Sequence, residues 1–107
     1  MKRYGMTIGL KKGKLQEYKA YHDEVWPEIL QMIESCNIKN YSIFYRNNQL
    51  FSYFEYHGNS FEMDMQKMAD DEKTKEWWAI MGPLQEPEPD RNEGEWWANM
   101  EEVFHKE

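Results

Sequence analysis

Cysteine is almost absent. Cys36 is the only one in 107 residues, so neither a disulfide framework nor a thiolate metal cluster can form, and a reducing cytoplasm is the expected compartment. Long apolar runs are absent too: none exceeds a few residues, which excludes a membrane-spanning helix. The opening Met-Lys-Arg-Tyr-Gly-Met has no hydrophobic core of the kind a secretion signal needs, and none is read there. Bases are outnumbered, 13 against 20 acids for a net charge of −7, and they form no arm or stripe. Nucleic acid and anionic membrane surfaces are therefore poor partners. No nucleophile elbow, phosphate-cradling glycine loop or histidine pair at helical spacing occurs, and the carboxylates scatter along polar faces. No metal site is expected. The length suits one domain over 1–107, since either half alone would bury too little.

Aromatic rings, by contrast, are plentiful. Seventeen residues are Phe, Trp or Tyr, and two Trp pairs occur, Trp77-Trp78 and Trp96-Trp97. Residues 4–10 alternate large (Tyr4, Met6, Ile8, Leu10) with small (Gly5, Thr7, Gly9), a period of two that predicts a strand with one nearly bare face. Glycine there marks close approach by a ligand or another backbone, or plain packing against a partner's rings. Helical spacing runs over 14–36 through Leu15, Tyr18, His22, Val25, Trp26, Ile29, Ile33 and Cys36. Pro27 must kink that helix or restart it as a first helical residue. Aromatic and β-branched residues fill 38–46 and 50–57, with Asn47-Asn48 as a hairpin turn between them. Residues 60–81 turn helical again, with a break expected at Asp70-Asp71 and a stop at Gly82. A loop is expected over 83–94 and a last strand over 96–105.

The order is β-α-β-β-α-β, which predicts an α+β, ferredoxin-like sheet with both helices on one face. The strands carry apolar residues on both faces, and one helical layer covers only one of them. The expected remedy is a homodimer with sheets facing each other, a dimeric α/β-barrel.

Candidates for chemistry are few. His22 lies four residues after Tyr18, so both project from one helix face, close to Trp26 and the break at Pro27. As a residue type histidine titrates near pH 6.5, which makes His22 the best acid/base candidate; the plain alternative is a satisfied histidine on an apolar face. His57 and His105 read as exposed. Tyr18 and Tyr41 bring hydroxyls that need partners if buried, or they are core rings with solvent-reaching tips. Asn40 should point to the face opposite Tyr41. Trp77 and Trp78 point about 100° apart on a helix, so one enters the core and the other is left for a rim or pocket. Flat rings suit the C–H face of a sugar, and core filling is the alternative.

Four segments together resemble the L-rhamnose mutarotase family: Tyr18-x-x-Tyr21-His22-x-x-x-Trp26-Pro27-Glu28, Asn40-Tyr41-x-Ile43, Glu76-Trp77-Trp78-x-x-Met81 and Glu102-Val103-Phe104. The likeness runs from Arg3 to His105. It implies a dimeric ferredoxin-like fold that interconverts the anomers of L-rhamnose without a cofactor. By position it makes His22 the proton donor and Tyr18, Tyr41, Trp77 and Trp78 sugar-contacting residues. The loop with Glu86, Pro87 and Glu88, leading to Gly94-Glu95-Trp96-Trp97, departs from the family pattern and bears on the choice of sugar. Two rival functions use the same residues. One is an acid/base lyase or dehydratase acting on a uronate saccharide. The other is a non-enzymatic dimeric barrel that senses a ligand or handles haem through His22.

Overall fold

The computed structural model describes residues 1–107. The elements follow in the order β1 (Lys2–Leu10), α1 (Leu15–Asp23), α2 (Pro27–Ser35), β2 (Ile38–Arg46), β3 (Gln49–Tyr56), α3 (Phe61–Asp70), α4 (Glu72–Met81), a 3₁₀ turn (Gly82–Leu84), β4 (Gln85–Glu86) and β5 (Ala98–Met100). The sheet is antiparallel with order β2-β3-β1-β4, and β5 also lies along β1. This is the ferredoxin-like α+β arrangement. No helix is long and apolar enough to cross a membrane.

Local chemistry accounts for each break in the chain. Pro27 opens α2 at its first position, where the missing N–H would have had no helical partner anyway. His22 thereby falls in the last turn of α1. Asp71 leaves the helical region at φ −76°, ψ 127°, and its carboxylate accepts from the Thr74 amide at 3.0 Å, ending α3 and capping α4. Asn47 and Asn48 both take left-handed φ, 48° and 62°, which closes a two-residue hairpin with the right twist for β2 and β3.

One sheet face is covered. Ile8, Leu10 and Leu50 pack there against Tyr18, Ile29, Trp77, Met81 and Leu84. The opposite face carries Gly5, Thr7, Phe44 and Phe51 in register, since Gly5 pairs with Tyr53, Thr7 with Phe51 and Phe51 with Phe44. Phe44 there is 65% exposed. A bulge at Asn40 (φ 50°) lies between Lys39 and Ser42. The extra residue puts Tyr41 on the helix-covered face, with its ring edge-on to Phe54 at 5.6 Å. Asn40 turns the other way and donates to Glu55 at 2.7 Å.

The fourth strand position departs from expectation. Two short pieces share it: β4 pairs Gly9 with Glu86 and Leu10 with Gln85, while β5 pairs Thr7 with Ala98 and Gly5 with Met100. The intervening residues 87–97 leave the sheet edge. So part of the expected 83–94 loop is structured, and the expected 96–105 strand shrinks to three residues. Past Met100 no covered face remains to reward pairing, and Val103 and Phe104 are 90% and 80% exposed. An Arg3–Glu102 fork at 2.8 and 3.0 Å ties that segment down instead. Gly82 does end α4, but in right-handed geometry (φ −52°, ψ −49°) that continues into the 3₁₀ turn rather than a left-handed cap.

The glycine pattern of β1 now has a cause. A Cβ on Gly9 would stand 2.7 Å from the Glu86 carbonyl oxygen, so β4 reaches the sheet only because that side chain is missing. Gly9→Ala is expected to push β4 away and to cost about 1–3 kcal/mol in denaturant unfolding. Gly5→Ala, whose nearest neighbours would be the flexible Met100 Cε at 3.4 Å and the Ser52 carbonyl oxygen at an ordinary 3.9 Å, serves as the mild control.

Candidate active site

Helix α1 supplies the centre of the cluster. Tyr18 is buried, and one turn later His22 stacks on it with ring centroids 4.4 Å apart and planes 27° apart. His22 Nδ1 lies 2.7 Å from the Tyr18 main-chain oxygen. A carbonyl can only accept, so Nδ1 carries a hydrogen. In the neutral imidazole Nε2 is then the basic nitrogen; in the charged form it is a donor. The main chain thus leaves Nε2 as the atom free to move a proton.

Helix α4 closes the other side. Trp77 meets His22 edge-on at 5.5 Å, with planes 74° apart. Trp26 and Tyr21 hold that indole in turn, with centroids at 5.1 and 6.1 Å and near-perpendicular planes. Such ring pairs add packing energy beyond the area they bury.

The two tyrosine hydroxyls resist ionisation. Burial raises Tyr18 above the ordinary phenol value, partly offset by a hydrogen bond from Gln85. Burial also raises Tyr41, well beyond the usual tyrosine range, and the neighbouring Tyr18 adds to the effect. Both therefore stay protonated at neutral pH and act as neutral hydrogen-bonding groups, not as phenolate bases. Tyr41 as a whole residue is 42% exposed.

The structure thus gathers His22, Tyr18 and Trp77 in direct ring contact, while Tyr41 packs its ring on Phe54. Trp78 stands apart. It is 46% exposed, and its ring makes none of the contacts that tie Trp77 to Tyr21, His22 and Trp26. His57 and His105 are exposed, and His57 lies 3.5 Å from Glu55.

Two members of the cluster escape sequence reasoning. Gln85 donates from Nε2 to the Tyr18 hydroxyl at 3.2 Å, and its Oε1 accepts from Trp96 Nε1 at 2.8 Å. Nothing in a Leu-Gln-Glu run inside a proline-rich stretch marks its glutamine as buried. Trp96 stood out only as half of a pair. It lies outside β5 and reaches Gln85, whereas Trp97 packs against the core edge.

No carboxylate, ammonium or guanidinium belongs to the ring cluster of Tyr18, His22 and Trp77. Lys73 overlies Trp26 at 5.8 Å but is engaged by Glu76 at 3.2 Å and Glu28 at 4.0 Å. No group of three or more His, Cys, Asp or Glu side chains is arranged to hold a metal ion. A hollow of about 530 Å³ lies elsewhere, on the uncovered sheet face, lined by Thr7, Gln49, Phe51, Glu88, Arg91 and Met100 among others. None of the five expected site residues borders it.

Fold and site together define a class: a small ferredoxin-like protein with one imidazole, two neutral phenols and indole rings, the equipment for acid/base work on an uncharged polyol. Comparison with known proteins narrows it. The family model described as L-rhamnose mutarotase matches residues 3–106. The L-rhamnose mutarotase of Formosa agariphila is 33% identical over 109 residues, covering all of both chains. That of Bacillus subtilis is 35% identical over 107 residues, covering 98% of each. A crystal structure of an L-rhamnose mutarotase from Formosa agariphila superposes with a TM-score of 0.80 at 31% identity, again over the whole of both chains. The chain belongs to the L-rhamnose mutarotase family.

Proposed function

We propose that this chain interconverts the α and β anomers of L-rhamnose by acid/base opening of the hemiacetal ring, with His22 moving the proton. The observation that carries the assignment of His22 is its anchoring: Nδ1–H is held on the Tyr18 carbonyl at 2.7 Å, which leaves Nε2 free inside a wall of rings. Charged His22 donates its Nε2 proton to the ring oxygen. The anomeric O–H gives its proton to solvent water, the C1–ring oxygen bond breaks as its electron pair stays on the newly protonated ring oxygen, and an open aldehyde forms. Rotation about C1–C2 presents the other face of the aldehyde, and the same steps in reverse close the ring. No carbon–carbon bond or redox state changes.

Tyr18 and Tyr41 bind and orient sugar hydroxyls as neutral groups, in keeping with their raised ionisation. Trp77 stacks on the sugar's C–H face or holds His22 for it, and Trp78 offers an exposed ring at the rim. Positioned acid/base groups contribute roughly 10²- to 10⁴-fold in rate, enough for a reaction that already proceeds slowly in water. A uronate would call for an arginine or lysine to pair its carboxylate, and the Tyr18–His22–Trp77 cluster includes neither. The test is saturation-transfer NMR on L-rhamnose. Irradiating one anomeric proton should deplete the other's signal only when the protein is present; no transfer would refute the reading.

The functional unit is a homodimer that covers the open sheet face. Phe44, Phe51 and Met100 are exposed large apolar residues along that face, 65%, 38% and 41% accessible. An apolar stripe of this kind on a small protein marks an interaction surface. Phe44→Asp is expected to halve the mass seen by analytical ultracentrifugation. A parent chain already sedimenting as a monomer would contradict the proposal. The single buried thiol, Cys36, fits a reducing compartment, and we place the protein in the cytoplasm.

A further inference from the structure

Behind the Tyr18 hydroxyl stands a polar side chain that the mechanism above does not use. Gln85 is buried on β4, opposite Leu10 of β1. Its amide has two partners, the Tyr18 hydroxyl at Nε2 (3.2 Å) and the Trp96 indole at Oε1 (2.8 Å). An indole N–H can only donate. It therefore decides which way the amide faces: oxygen toward Trp96, NH₂ toward Tyr18. A tyrosine hydroxyl has one hydrogen. With its oxygen accepting from Gln85, that hydrogen is left to donate, and the hydroxyl makes no other hydrogen bond to the protein. The ring it belongs to is stacked on His22.

We infer that Gln85 is a positioning residue for the sugar reaction: oriented by Trp96, it holds the Tyr18 hydroxyl with its proton presented to the substrate. The inference rests on the mutarotase reading and on Tyr18 touching the sugar. Three features far apart in the chain converge on this one amide. Gly9 lets β4 approach, the two-residue strand sets Gln85 beside Leu10, and the return of residues 87–97 brings Trp96 over it.

The experiment is a double-mutant cycle, read as kcat/KM for L-rhamnose anomer exchange by NMR. Gln85→Met keeps the volume and loses the donor. It is expected to slow the parent about three- to tenfold, the usual worth of one neutral hydrogen bond. In a Tyr18→Phe background the same change should matter less than about twofold, because the hydroxyl through which Gln85 acts is gone. Trp96→Phe, at a half-exposed position that tolerates the change, frees the amide to flip. It is expected to slow the parent about two- to threefold and to be silent in the same background. Should Gln85→Met fail to fold, this second variant carries the cycle.

Equal losses in both backgrounds overturn the inference, as does a Tyr18→Phe variant as fast as the parent. Either result leaves the mutarotase reading standing. A parent chain that does not speed anomer exchange removes that reading, and this inference falls with it.

Discussion

His22→Ala is expected to return L-rhamnose anomer exchange to its uncatalysed rate, a loss of roughly 10²- to 10⁴-fold, while the fold survives. The size follows from the geometry. His22 brings the cluster's only imidazole, with one nitrogen held by the main chain and the other open, whereas Tyr18 and Tyr41 are shifted away from ionisation. The main chain supplies the precision: Nδ1–H on the Tyr18 carbonyl fixes both ring orientation and tautomer. The fold should survive because His22 is only part-buried and its removal leaves no buried hydrogen-bonding group unmatched, the carbonyl it contacts being part of α1. The check is saturation transfer on the variant, with its denaturant midpoint beside the parent's. Exchange at more than about a tenth of the parent rate would take the proton-moving role away from His22.

Trp77→Ala is expected to act in the opposite proportion, on stability first. Trp77 is 7% exposed and touches Tyr21, Trp26 and His22 through its ring. Truncating a buried tryptophan costs about 3–5 kcal/mol, because the transferred area is lost and the cavity only partly collapses. Much of the stability of a small domain would go with it. The surviving fraction should also be slow, since the indole edge that backs the His22 ring is missing. Trp78→Ala, at a 46% exposed position, should by contrast leave the unfolding midpoint nearly unchanged and affect only the sugar's KM. Chemical denaturation of both variants checks the contrast, and equal midpoints for the two would contradict it.

The broad fold was legible because it is written in short-range signals. Pro27 could only break or restart a helix, Asn47-Asn48 could take the left-handed turn that β2 and β3 need, and the period of two in β1 separates a buried face from a bare one. The same signals placed His22 and Tyr18 on one helix face. What stayed hidden depends on long-range contact. Tyr41 reaches the covered face through a one-residue bulge at Asn40, and such a shift reverses every facing assignment beyond it. The last strand looked long because Val103 and Phe104 continue an apolar pattern. In the single chain that pattern has nothing to pack against. Strand β4 is only two residues and exists because Gly9 offers room for it. Gln85 was invisible for the same reason: its partners, Tyr18 and Trp96, lie in distant stretches of the chain, and only the folded edge of β1 brings them together.

The most direct measurement is polarimetry on a freshly dissolved single anomer of L-rhamnose. With the protein present, optical rotation should reach the same final value sooner, at a rate that rises in proportion to protein concentration. A time course identical with and without the protein would contradict the account at its centre.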